Sequence, residues 1–132
     1  MTPSQFSKAW KRSIKPSKQR KYLYEAPLHI KQKLFHAHLS TELRKKYGRR
    51  GTQVRRGDTV KVMRGKFVQR QGKASQASLK QQRVFVEGIE IIKKDGTKIP
   101  YPLHPSNLLI VDLELSDKKR KKHLESKVKE RK

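Results

Sequence analysis

The chain has 132 residues, with 35 Lys and Arg against 11 Asp and Glu, so its formal net charge is +24. Hydrophobic residues make up 33% and charged residues 35%, too apolar-poor a mixture for the whole length to pack around one core, and self-repulsion at this charge favours a polyanionic partner. No apolar run approaches a membrane span or the core of a signal peptide, and the absence of cysteine excludes a disulfide framework, a thiolate nucleophile and a Cys-type zinc site. The expectation is a soluble, unexported chain without a cofactor.

The charge is unevenly spread. Residues 1–53 carry 14 basic and 2 acidic side chains, 54–115 carry 12 and 6, and 116–132 carry 9 and 3. The β-branched and aliphatic residues concentrate in the middle zone. This suggests three units: a basic helical extension over 1–53, a folded module over 54–115 and a basic C-terminal helix or tail over 116–132.

In chain order, Thr2-Pro3-Ser4 is a helix start, with Phe6, Ala9, Trp10 and Ile14 on one face. Pro16 and the polar run behind it read as an interruption. A second helix is expected from Pro27, with Ile30, Leu34 and Ala37 inward. The third is expected from Ser40 as cap, with Glu42 in its first turn, Arg44, Lys45 and Lys46 in its last, and Gly48 as its stop.

In the middle zone the period becomes two. Val60 and Val62, then Val84 and Val86, then Leu109, Val111, Leu113 and Leu115 alternate along short strands. Gly57, Gly65, Gly72, Gly88 and the pair Asp95-Gly96 mark turns, the last a hairpin between 89–92 and 97–99. Segment 74–80 is the weakest strand, because its small residues bury little. Together these predict a mainly β fold: a small five-stranded barrel, closed so that no edge is exposed, with helical arms. Beyond it, 116–132 offers only Leu124 and Val128 to a core, so its order should depend on a partner.

Catalytic signatures are missing. There is no phosphate-cradling Gly-rich loop ending in Lys-Ser/Thr, no nucleophile elbow and no His-Glu-x-x-His. His36-Ala-His38 read as helical would point apart and could not chelate one ion. Nothing here reads as an enzyme.

Nucleic-acid binding is better supported. The loop Arg64-Gly-Lys-Phe-Val-Gln-Arg-Gln-Gly-Lys73 interleaves four cations, two glycines and an aromatic between strands. Cations neutralise phosphates, glycines admit a close backbone, and Phe67 could stack on an unpaired base or tuck against the fold. The arm cations are interleaved with Trp10, Tyr22, Tyr24 and Tyr47 in the same spirit.

With those residues laid out, Arg56-Gly57-Asp58-x-Val60-x-Val62-x-Arg64-Gly65, followed by Gly72-Lys73 and Val84-x-Val86-Glu87-Gly88-Ile89, resembles a KOW motif. The flanks Ala26-Pro27-Leu28-His29-Ile30, Leu39-Ser40-x-Glu42-Leu43-Arg44-x-Lys46-Tyr47, His104-Pro105-Ser106-Asn107 and Asp117-x-x-Arg120-Lys121-Lys122 narrow it. In that order and spacing they resemble the large-subunit ribosomal protein numbered twenty-four in the universal scheme, in its archaeal and eukaryotic form, over roughly residues 18–125.

The resemblance implies an SH3-like KOW barrel bound as a monomer within the cytoplasmic ribosome. Its partners would be large-subunit ribosomal RNA near the 5′ end and neighbouring large-subunit proteins, beside the polypeptide exit tunnel opening, with a part in early assembly. The alternative is a KOW-type transcription-elongation binding module, although 53 strongly basic residues do not make a separate polymerase-binding domain. The sequence departs from the motif at Val68 and Gln69, where a basic residue and a glycine are usual, and at Ala74, where a bulky aliphatic is usual.

The expected RNA contacts follow. From the N-terminal zone they are Lys18, Arg20, Lys21, Tyr22, His29, Lys31, Lys33, Arg44, Lys45, Lys46, Arg49 and Arg50, and from the start of the middle zone Arg55 and Arg56. The loop supplies Arg64, Gly65, Lys66, Phe67, Arg70, Gly72 and Lys73, and the segment before the last strand His104, Ser106 and Asn107. The C-terminal zone adds Lys118, Lys119, Arg120, Lys121 and Lys122.

Overall fold

The structure, a computed structural model, describes residue 6 and residues 12–129, without the side chains of 127–129. The helix expected around Ala9 and Trp10 therefore lies outside the described residues, as does the Val128 side chain. Pro16 opens a helix, α1 (Pro16–Glu25), so the polar run behind it, expected as an interruption, is helical. A proline at the first helical position lacks only an N–H that would have no partner there. Pro27 then caps α2 (Leu28–Leu34).

Helix α2 stops earlier than its apolar spacing suggests, and His36–Leu39 forms strand β1. Ala37 still reaches the core, but from a strand, while Leu34 stays 43% exposed. Helix α3 (Thr41–Tyr47) matches its signals: the Ser40 hydroxyl accepts the Leu43 N–H, and Gly48 ends the helix with φ 61°. The chain returns in β2 (Gly51–Gln53), antiparallel to β1.

Next come β3 (Thr59–Val62), β4 (Gln71–Ser78), β5 (Arg83–Val86), β6 (Glu90–Ile92), β7 (Lys98–Pro100), β8 (Leu108–Asp112) and α4 (Lys118–Lys129). The weakest expected strand is part of the longest one, β4. Its small residues suit its place between β3 and β5: a Cβ on Gly72 would lie 2.5 Å from the Glu87 carbonyl oxygen. The Asp95-Gly96 turn joins β6 to β7, with the Thr97 N–H donating to Asp95 Oδ1 at 3.0 Å.

Six strands form one sheet in the order β2-β1-β8-β3-β4-β5, and β6–β7 stands apart as a two-stranded hairpin. All the pairings among these strands are antiparallel except β1 with β8. This is a mixed helix and sheet fold, mainly β, and not the closed five-stranded barrel expected. β1 pairs with β8 and carries β2 outside it, so β5 does not meet β8 to close a barrel. The outer edge of β5 is instead met by Leu103, which exchanges both backbone bonds with Val84, at 2.8 and 2.9 Å.

The core draws on all three charge zones. Phe35, Leu39 and Tyr47 pack with Val60, Val62, Val84, Val86, Leu108 and Ile110, and with Leu124 of α4, which is fully buried. In β8 the inward residues are Leu108 and Ile110, one position out of phase with the alternation expected from Leu109 and Val111. Because β8 is central and its first four residues are all aliphatic, the sequence alternation there does not declare which face is inward.

The C-terminal zone also departs from expectation in having something to bury besides Leu124. Arg120 is 5% exposed and pairs with fully buried Asp58.

Candidate nucleic-acid interface

The β3–β4 loop and the segment before β8 converge on one cavity. Val62 and Arg70 close the base of the loop, the Val62 N–H donating to the Arg70 carbonyl at 2.8 Å and the Gln69 N–H to the Val62 carbonyl at 2.9 Å. The Met63 N–H donates to the Asn107 carbonyl at 2.8 Å, tying the loop to the 3-10 turn Pro105–Asn107. Between them lies a cleft of about 430 Å³ lined by Arg64 to Phe67, Arg83, Tyr101 to His104, and Asn107, none of them acidic.

Phe67 forms the floor rather than an exposed stacking surface. It is 6% exposed, its ring 5.1 Å from that of Tyr101. Lys66 Nζ and the Arg70 guanidinium lie 5.9 and 5.2 Å from its centroid, so the aromatic quadrupole helps to place both cations above it. His104 Nδ1 accepts the Ser106 N–H at 3.2 Å and contacts its hydroxyl at 2.7 Å. Burial, and secondarily Arg83, hold the His104 imidazole below its ordinary pKa. Near neutral pH it is an uncharged hydrogen-bonding group beside three cations, Arg64, Lys66 and Arg83.

The other expected contacts divide by environment. Arg20 and Lys21 on α1, His29 and Lys33 on α2, Lys45 and Lys46 on α3, and Arg50 and Arg56 are exposed, as are Lys73 and, on α4, Lys118, Lys119, Lys121 and Lys122. Lys18 is half-buried, and the Tyr22 ring lies 4.9 Å from Phe6. Arg44 is exposed, although its Nε donates to the Leu39 carbonyl at 2.7 Å. Arg55 pairs with Asp117 at 2.5 Å, and Arg49 is half-buried against α4.

Three of the expected contacts are held within the fold. Lys31 is 9% exposed, and its ammonium donates to the Tyr24 carbonyl at 3.2 Å. Arg120 is enclosed with Asp58. Gly72 has no room for a Cβ because the Glu87 carbonyl and the Val86 side chain approach it.

His36 and His38 sit on one exposed face of β1, since residues two apart in a strand point the same way. The helical reading that kept them apart does not hold. Among the described residues, however, no group of three His, Cys, Asp or Glu could hold a metal ion.

Sequence reasoning missed Arg83 and Tyr101. Arg83 opens β5 on the exposed phase of the Val84/Val86 alternation, which was a usable signal. Tyr101 follows a hairpin and had none.

Cations gathered over an aromatic floor, with no carboxylate in the cleft, define a basic protein that turns a face of one sign toward a polyanion. The family of eukaryotic ribosomal proteins L26 and their archaeal L24 counterparts matches residues 13–127. The chain belongs to this family. It is an RNA-binding, large-subunit ribosomal protein of the cytoplasmic ribosome, in a family of structural, non-enzymatic components of translation. No helix among the described residues is long and apolar enough to cross a membrane.

Proposed function

We propose that the chain holds large-subunit ribosomal RNA near its 5′ end, with the β3–β4 loop and the His104–Asn107 segment as the positioning contact. The observation that carries this is the acid-free cleft of Arg64, Lys66, Arg83 and His104 over the Phe67–Tyr101 floor. Arg64 and Lys66 would neutralise backbone phosphates, and Asn107 and neutral His104 would hydrogen-bond to sugar or base edges. The strand–loop–strand unit β3–β4 with β5 corresponds to the KOW element of the resemblance. The exposed cations of α1 to α4 would follow adjacent RNA helices. Early assembly and a place beside the exit tunnel opening follow from the same resemblance, together with contacts to neighbouring proteins.

Chemical footprinting of protein-free large-subunit RNA with added chain tests this. A compact protected region in the 5′ portion is expected, and it should shrink for the Arg64→Ala/Lys66→Ala variant. Protection spread evenly along the RNA would contradict it.

A further inference from the structure

A second cationic cleft, sharing no residue with the first, lies where α4 folds back on β1 and β2. It encloses about 250 Å³ and is lined by His36, Arg49, Arg55, Lys119, Arg120 and His123 together with the neutral Gln32 and residues 51–53. We propose that this cleft is an additional RNA site, holding one backbone phosphodiester between His36, Arg49, Lys119 and His123.

Not every cation here is free for a ligand. Arg55 is taken by Asp117, whose carboxyl that hydrogen bond holds below its ordinary range, and Arg120 is taken by Asp58. Arg49 has no carboxylate partner among the described residues. Its guanidinium contacts His123 Nε2 at 3.0 Å and donates to the His123 carbonyl at 2.5 Å and to Ser126 Oγ at 3.4 Å, while its Nε is sealed from solvent without an acceptor. Arginine only donates, so His123 Nε2 is the acceptor in this contact.

The cleft thus brings one half-buried guanidinium, an ammonium and two imidazoles together without a matching anion among the described residues. Such convergence opposes itself unless an anion arrives, and a phosphodiester is an anion that accepts from all four. The electrostatics agree. Partial burial, then Arg49, then His123 depress the His36 pKa. A phosphate beside the ring would oppose the two charge effects, so proton uptake and phosphate binding favour each other. Among the described residues the acid bordering the group is Asp117, and it is occupied by Arg55.

The inference rests on the RNA-binding reading for the identity of the anion, and the test separates the two. With the full chain, the His36 ring pKa is measured by NMR with and without inorganic phosphate. Affinity for a transcript of the 5′ region of large-subunit RNA is measured at pH about 7.5 and about 5.5, either side of the ordinary histidine pKa. Phosphate should raise the His36 pKa. The transcript should bind up to about tenfold tighter at the lower pH, the amount linked to a rise of one unit. His36→Gln should remove most of that gain, and His38→Gln, on the same strand face but outside both clefts, should keep it.

An equal gain in wild type and His36→Gln overturns the proposal, as does a His36 pKa indifferent to phosphate. Ring shifts with phosphate but pH-independent transcript binding leave a free-phosphate site and overturn the RNA assignment. Failure of the transcript to bind at any pH defeats the RNA-binding reading itself, and the assignment with it.

Discussion

Asp58 and Arg120 form a buried two-pronged ion pair across 62 residues of sequence, with Nη1 on Oδ1 at 2.6 Å and Nη2 on Oδ2 at 2.7 Å. The carboxylate also accepts the Arg55 and Glu114 N–H groups, and the guanidinium also donates to the Glu114 and Gln53 carbonyls. The end of β2, the turn leading into β3, the segment after β8 and helix α4 are fastened at one point. In a chain of +24, a fully buried carboxylate is what lets a helix as basic as α4 lie against the sheet.

Removing one partner strands the other charge in the interior, so Asp58→Ala or Arg120→Ala should each lower stability by about 3 to 5 kcal/mol. Denaturant unfolding of the free chain measures this. A loss below about 1 kcal/mol would show that the pair is solvated in solution.

Gln69 has φ 71°, a left-handed conformation that a side chain adopts at a cost of about 1 to 2 kcal/mol and glycine adopts freely. The departure from the motif at this position therefore keeps the backbone the motif demands. Gln69→Gly should stabilise the chain by up to about 1 kcal/mol once the greater freedom of glycine when unfolded is subtracted. An unchanged or lower melting temperature would contradict this.

Gly72 shows the opposite constraint. A Cβ there would meet the Glu87 carbonyl oxygen at 2.5 Å and Val86 Cγ1 at 2.9 Å. Gly72→Ala should cost about 1 to 3 kcal/mol by forcing β4 from β5. Hydrogen exchange should show the Glu87 amide, which bonds to the Lys73 carbonyl, losing protection first.

His36 and His104 both have pKa values below the ordinary histidine value of 6.5. Below that value the unfolded chain binds more protons than the folded one, so these groups cost no stability at higher pH and remove it as pH falls through their folded pKa values. The melting temperature of the free chain should therefore drop on acidification from pH about 7 to about 5, and less so in the His36→Gln/His104→Gln variant. An equal drop in both would assign the effect to other groups.

How far the sequence revealed the fold depended on whether its signals were local. Ser40, Glu42 and Gly48 bound α3 with their own side chains and backbone, and Asp95-Gly96 makes its own turn, so both were legible. In β8, four consecutive aliphatic residues erased the phase. Pro16 carries two opposite meanings, and only the residues around it in space select the start of α1. His36 to Leu39 continue an apolar spacing begun in α2, yet pair with Gly51 to Gln53 and with β8. The loop cations of the candidate site were read directly because they are contiguous. Arg120 was misplaced because its partner is 62 residues away, and Tyr101 and His123 were missed because only the folded chain brings them to their clefts, whereas the exposed phase of Arg83 on β5 could have been read.

The central claim is that Arg64 and Lys66 contact RNA phosphates, and the salt dependence of binding tests it most directly. Each lost phosphate contact should flatten the slope of log affinity against log salt by about one. For a 5′-region transcript of large-subunit RNA, Arg64→Ala/Lys66→Ala should bind more weakly than wild type at moderate salt, with a slope shallower by about two. A variant whose slope equals that of the wild type would place the loop outside the interface and contradict the account.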